Sequence, residues 1–174
     1  VRAMFAMRAA TVTLNEAFER QGLPPVEFGF GLNTGPCNVG LMGSEKRLEY
    51  SCVGDTVNIA SRLQDLTKMY GVWNLVTRAV AEATPGWITA PLGEASVRGK
   101  TLTVPICTIL GPRDEPLSET NETLRQALEA VAAVAPRDRA KALDKLCRLS
   151  CPGIDGVRLA AALDRPAIAL DMTP

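Results

Sequence analysis

Apolar residues first recur along this chain at helical spacing. Met4, Met7, Leu14 and Phe18 fall near one face, and Gly22 with Pro24 and Pro25 stops the run, which predicts a helix over 1–21. From Val26 the period changes to two. Val26, Phe28, Phe30 and Leu32 share one strand face, while Gly29 and Gly31 leave the other bare enough to admit a close neighbour. Cys37, Val39 and Leu41 alternate again, Gly43-Ser44-Glu45 has turn chemistry, and Leu48, Tyr50 and Cys52 alternate on the way back, so a hairpin is expected. Asp55 or Thr56 is placed to cap a helix in which Ile59, Leu63, Leu66 and Tyr70 recur at intervals of three or four, and Gly71 closes it. A short strand at 73–76, a small helix begun by Thr77 and stopped near Pro85, and strands at 87–97 and 103–110 joined by Arg98-Gly99-Lys100 complete this part.

The texture then changes. Residues 111–117 hold two prolines and three charges and read as a linker. Beyond it come Ala/Leu-rich helical stretches at 118–134 and 138–149 and a weaker one at 154–163, with Ser118 a fair start signal because Asn121 follows three residues later. The division expected is a domain at 1–110, a linker at 111–117 and a helical extension at 118–174. The first pair of helices suits an interaction hairpin, a dimerisation element or the first unit of a repeat array.

Composition removes several chemistries. Nineteen basic residues balance nineteen acidic ones in a chain of 174 that is 47% apolar, which suits a globular, soluble domain and gives no long-range field to draw nucleic acid or an anionic membrane. No apolar run approaches the length needed to cross a bilayer, so a cytoplasmic segment is expected. The chain opens at Val1 inside a helical pattern, without initiator Met or signal pattern, and reads as part of a longer protein that could be anchored upstream. With no histidine, Ser-His-Asp and Cys-His nucleophile arrangements are excluded. Of five cysteines, Cys37, Cys52 and Cys107 fall in apolar runs as small hydrophobes, while Cys147 and Cys151 match the spacing of a soft metal or redox pair, with buried free thiols the favoured reading.

Asn58 and Arg62 are four apart and share a helix face beside the apolar stripe. Arg offers a permanently charged planar fork suited to phosphate oxygens, and Asn both donates and accepts. By itself the pair reads first as an ordinary solvated face.

The run from Phe30 to Lys68 resembles the class III adenylate/guanylate cyclase catalytic domain. The resemblance is carried by Asn33-Thr34-Gly35 at a strand end, the glycine-bearing hairpin at Gly40 and Gly43, the Tyr50 strand, GDTVNIASR from Gly54 to Arg62, and VRGK from Val97 to Lys100. It covers roughly residues 1–110. It implies an α+β fold, a ferredoxin-like cyclase domain lacking its N-terminal strands and followed by a small helical extension. It also implies a head-to-tail homodimer in which each site takes metal ligands from one protomer and substrate-orienting residues from the other. The reaction would turn a nucleoside triphosphate, ATP favoured over GTP, into a cyclic nucleotide and pyrophosphate, with two divalent cations, Mg²⁺ or Mn²⁺, as templates.

By this resemblance Asn58 holds the ribose and Arg62 contacts the α-phosphate in the transition state. Ser51 reads the base, with a strand serine facing a helix as the structural alternative. Arg98 and Lys100 approach the β- and γ-phosphates, or else form a solvated basic turn. Asp55 is read as a helix-start residue and not a metal ligand. The family's metal aspartates and purine-reading lysine would lie upstream, so this chain by itself is expected to be inactive, with an open sheet edge. Two other readings remain: a non-catalytic, cyclase-like module that binds nucleotide or a partner for regulation, and a scaffold whose working part is the C-terminal helices.

Overall fold

In the computed structural model, residues 1–44, 47–97, 103–133, 139–151, 153–164 and 168–170 are described. Helix α1 spans Arg2–Arg20, strand β1 Phe30–Leu32, the hairpin β2 Asn38–Ser44 and β3 Arg47–Val53, and helix α2 Asp55–Tyr70. Strand β4 (Asn74–Thr77), helix α3 (Arg78–Ala83) and strands β5 (Trp87–Val97) and β6 (Thr103–Pro112) come next. After them lie α4 (Glu119–Ala133), α5 (Arg139–Cys147), β7 (Ser150–Cys151), β8 (Ile154–Asp155), α6 (Gly156–Leu163) and β9 (Ile168–Leu170). The main sheet has the order β1-β4-β6-β5-β9, with β1 parallel to β4, β5 parallel to β9 and the other neighbours antiparallel. The fold is α+β, as expected.

Strand alternation sorts the core into two layers. Leu75 of β4 and Ile106 of β6 face one way, into a cluster with Leu63, Leu66 and Tyr70 of α2. Val76 and Cys107, their chain neighbours, face the other way and pack with Met4 and Val80 of α1 and α3. Phe5 adds edge and tilted ring contacts to Trp73 and Trp87, with centroids 5.0 and 4.7 Å apart. The stripe on α1 is only partly covered: Met4 is buried, while Met7 and Leu14 are exposed. Asn74, fully buried, extends the pairing of β4 and β6 with its side chain. Its Nδ2 donates to Ile109 O at 3.0 Å and its Oδ1 accepts from Ile109 N at 2.8 Å, so the buried amide carries no unpaired group.

The bare glycine face of β1 meets α2. A Cβ on Gly31 would lie 3.0 Å from Gln64 Cα and closer still to the Ala60 carbonyl and the Gln64 amide, so strand and helix pack backbone against backbone. The strand is shorter than the alternation from Val26 suggests. Val26 spends both backbone groups on the Asn15 side chain, donating to Oδ1 at 2.8 Å and accepting from Nδ2 at 2.9 Å, and regular pairing starts only at Phe30. Similarly, β2 runs through Gly43 and Ser44, whose chemistry suits the turn, and the strand expected at 73–76 is shifted by one residue.

Residues 111 and 112 belong to β6, and packing continues without a break from β6 into the C-terminal helices. Leu124, Leu128, Val131, Leu143, Leu146 and Leu159 of α4, α5 and α6 join the same cluster as Leu63, Leu66 and Tyr70. Asn121 Nδ2 donates to Leu110 O at 2.6 Å, tying α4 to β6, and Ser118 Oγ accepts from Asn121 N at 3.2 Å, the capping contact its position suggests. The far end of α2 is seated in this C-terminal part. Gly71 closes the helix in the left-handed conformation, its carbonyl accepts from Asp155 N at 2.6 Å, and a Cβ there would meet Asp155 and Arg158.

Candidate functional site

Helix α2 starts at a glycine because the backbone requires one. Gly54, with φ 148°, turns the chain from β3 into the helix, and its carbonyl accepts from Val57 N and Asn58 N at 3.0 and 3.1 Å. No side chain caps this end. Asp55 is the first helical residue, and the Thr56 hydroxyl donates to Pro36 O at 2.6 Å, so neither does the capping expected of it. The turn is instead held from outside: Asn33 Nδ2 donates to Thr56 O at 3.1 Å, and Asn33 Oδ1 accepts from Thr77 Oγ1 at 2.9 Å. The ends of β1 and β4 are thereby fastened to the beginning of α2.

On that helix Asn58 is exposed, and Arg62 one turn later is half-buried, with 28% of its side chain accessible. Arg62 Nη1 lies 3.9 Å from Asp65 Oδ2, an ion pair on a partly solvated face. Ile59 and Leu63, the neighbours of this pair on the stripe, pack into the core and fix the helix rotation that leaves Asn58 outward. Ser51 is exposed on β3, opposite Gly40, so the polypeptide carries it and Asn58 to either side of the Gly54 turn. Arg98 and Lys100 lie outside the described residues. Among the described residues no group of three or more His, Cys, Asp or Glu side chains is placed to hold a metal ion.

The alternation of the hairpin predicts its thiols to be small core hydrophobes, and they are not. Cys37 and Cys52 are exposed, whereas Cys107 is buried and burial pushes its thiol pKa up. The register explains the difference, because Val39 pairs with Cys52, Leu41 with Tyr50 and Gly43 with Leu48, which puts all these side chains on one face. That face is open: Leu41 is 68% and Tyr50 76% exposed, with Val39 and Leu48 also exposed. An apolar alternation reads the same whether its face lies inside a chain or against another surface. The fastening role of Asn33, Thr56 and Thr77 is likewise hidden from the sequence, since their contacts span 23 and 44 residues; only the presence of Asn33 in a recognisable strand end points to it.

A strand entering a glycine turn, a helix bearing an Asn and an Arg on one partly solvated face, and a mixed sheet behind them make an α+β domain. The family model for the adenylate and guanylate cyclase catalytic domain matches residues 1–108, and the chain belongs to that family. Among curated relatives it is 35% identical over 111 residues to adenylate cyclase 1 of Rhizobium meliloti, covering 63% of this chain and 17% of that protein. It is 34% identical over 95 residues to the terminal-differentiation specific adenylate cyclase of Dictyostelium discoideum, covering 52% of this chain and 4% of that one. The chain thus spans less than a fifth of either relative. Among solved structures, the adenylyl cyclase CyaB from P. aeruginosa superposes with a TM-score of 0.56 at 26% identity, covering 64% of this chain and 57% of that one. The guanylyl cyclase Cya2 superposes with a TM-score of 0.54 at 29% identity, covering 65% and 57%. No helix among the described residues is long and apolar enough to cross a membrane.

Proposed function

We propose that this chain supplies the substrate-orienting half of a composite cyclase site, and that the complete protein converts ATP to cyclic AMP and pyrophosphate as a head-to-tail pair of cyclase domains. The observation that carries this reading is the placement of Asn58 and Arg62 one turn apart, at the accessible start of a helix whose other face is locked into the core. In the reaction the ribose 3′-oxygen bonds to the α-phosphorus, the bond from that phosphorus to the pyrophosphate oxygen breaks, and the 3′-hydroxyl proton is released. Asn58 orients the ribose, and Arg62 meets the negative charge that accumulates on the α-phosphate oxygens.

Ser51, exposed and near the Gly54 turn, is assigned to the base, where a hydroxyl accepts from the adenine amino group. Arg98 and Lys100 are assigned to the β- and γ-phosphates on the strength of the VRGK motif. On the family's pattern two divalent cations, Mg²⁺ or Mn²⁺, would be held by residues other than Asn58 and Arg62, which are assigned orienting roles only, and this chain by itself is proposed to be inactive. Pairing of two domains is supported by the open apolar face of the hairpin, where Val39, Leu41, Leu48 and Tyr50 would be covered by a second copy. A cytoplasmic location belongs to the same proposal, since that is where the triphosphate is supplied.

The test is steady-state cyclase assay of the complete protein with ATP and with GTP. Arg62→Ala is expected to lower kcat roughly 10²-fold while KM moves only a few-fold, the pattern of an interaction made mainly in the transition state. Ser51→Asp should change the ATP to GTP ratio. An Arg62→Ala enzyme with normal turnover refutes the assignment.

A further inference from the structure

We infer that Asn33 is a positioning residue for Asn58: its carboxamide is the clamp that holds the first turn of α2 in register with the sheet. This rests on the reading of Asn58 as a substrate-orienting residue. The clamp is notable for what it replaces. The start of α2 has no side-chain cap, and Thr77, at the N-cap position of α3, forgoes capping its own helix. Its hydroxyl donates to Asn33 Oδ1 at 2.9 Å. A threonine at an N-cap ordinarily accepts from a helix N–H; here no such bond is made, and the side-chain contact Thr77 does make is the long-range one to Asn33.

The geometry also fixes which way the amide points. The carbonyl of Thr56 can only accept, so the group 3.1 Å from it is the NH₂ of Asn33, and the oxygen is left to take the proton of Thr77. Thr77 is 3% exposed, and the Asn33 contacts are partly buried, so water competes poorly for them. Thr56 is held a second time by its own hydroxyl on Pro36 O at 2.6 Å. The residue two positions before Asn58 is therefore pinned at both its carbonyl and its side chain. Asn58, whose amide bonds back to Gly54 at 3.1 Å, inherits that placement. Orientation of a reacting group is sensitive on this scale, because a displacement near 1 Å can cost about 10²-fold in rate.

Two substitutions separate the clamp from simple packing. Asn33→Asp keeps the size and the acceptor for Thr77 but turns the donor into an oxygen facing the Thr56 carbonyl. Thr77→Val removes the hydroxyl at nearly constant volume, and Thr77→Ser restores it. In the complete protein, amide hydrogen exchange over 54–62 is expected to quicken about tenfold in Asn33→Asp and less in Thr77→Val, while protection in β5 and β6 stays unchanged and Thr77→Ser stays near wild type. With ATP, Asn33→Asp should lower kcat by about tenfold or more at a KM within about twofold of wild type. Unchanged exchange over 54–62, or loss of protection spread evenly over the sheet, overturns the clamp. A raised KM at constant kcat overturns its link to Asn58. If the wild-type protein makes no cyclic nucleotide from ATP or GTP, the cyclase reading fails, and the exchange result still decides for or against the clamp.

Discussion

A methyl group added at Gly31 would collide with α2 at atoms that have nowhere to go. Its three nearest neighbours are the Ala60 carbonyl oxygen and the Gln64 nitrogen and Cα, all of them helix backbone, with the Cα 3.0 Å away and the other two nearer. Flexible side chains relieve overpacking by changing rotamer, but backbone atoms inside a helix move only if the helix moves. Overpacking in a core costs about 1–3 kcal/mol, and this contact belongs at the upper end, about 3 kcal/mol. For a domain of this size each kcal/mol lowers Tm by about 2–4 °C, so Gly31→Ala should melt about 6–12 °C below wild type. Gly40→Ala is the control. A Cβ there meets nothing within 4 Å, and the substitution should stay within about 0.5 kcal/mol of wild type. Both variants would be followed by circular dichroism during heating and by urea titration at constant slope. A Gly31→Ala protein melting within about 2 °C of wild type would refute the argument from close approach, and equal losses in both variants would assign the effect to glycine chemistry and not to the contact.

Three further outcomes rest on the same packing and charge. Leu146→Ala in α5 and Leu63→Ala in α2, both fully buried in one cluster, should each cost about 2–5 kcal/mol and lower a single unfolding transition; two separated transitions would show that the C-terminal helices fold independently. Hydrogen bonds from Arg125 and Gln126 hold the Glu122 carboxyl down at about 2, below its ordinary value of 4.5. Since the folded value is the lower one, the stabilisation is present above about pH 4.5 and fades as pH falls towards 2; Arg125→Met should bring the Glu122 titration, read by NMR, back up. Cys107, buried and with its thiol pKa raised by that burial, should resist a thiol reagent that labels Cys37, Cys52 and Cys147 in the native protein, and should react once the protein unfolds.

Much of the element order can be read from local periodicity, and the reasons are local. Intervals of three and four in α2, alternation in the hairpin and the stop at Gly71 are properties of adjacent residues. The features that periodicity does not reveal depend on distant partners. Strand β1 begins late because Val26 is engaged by Asn15, eleven residues earlier. Thr56 looks like a cap in isolation, yet it lies inside the helix beyond Gly54, and its hydroxyl donates to Pro36 O, twenty residues earlier. The proline- and charge-rich stretch after residue 110 marks a turn in the chain but not a gap in the core, because burial of Leu124 and Leu146 in one cluster with Leu63 and Tyr70 leaves no trace in the stretch itself. For the site, Asn58 and Arg62 can be picked out because helical spacing alone puts them on one face. Their support from Asn33 and Thr77 depends on strand order, which periodicity does not encode.

The seating of Gly71 against Asp155 and Arg158 bears on how this unit can be moved between proteins. Helix α2 carries Asn58 near one end, and the other end is finished by residues more than forty positions beyond the last one matched by the family model. A chimera cut after β6 would keep every recognisable motif and still strip α2 of its packing against α6, whose Leu159 shares a buried cluster with Leu63, Leu66 and Tyr70. The transplantable unit therefore runs through α6 to β9, which pairs with β5, and a graft joined beyond it should keep the solubility that one joined at residue 110 would lose.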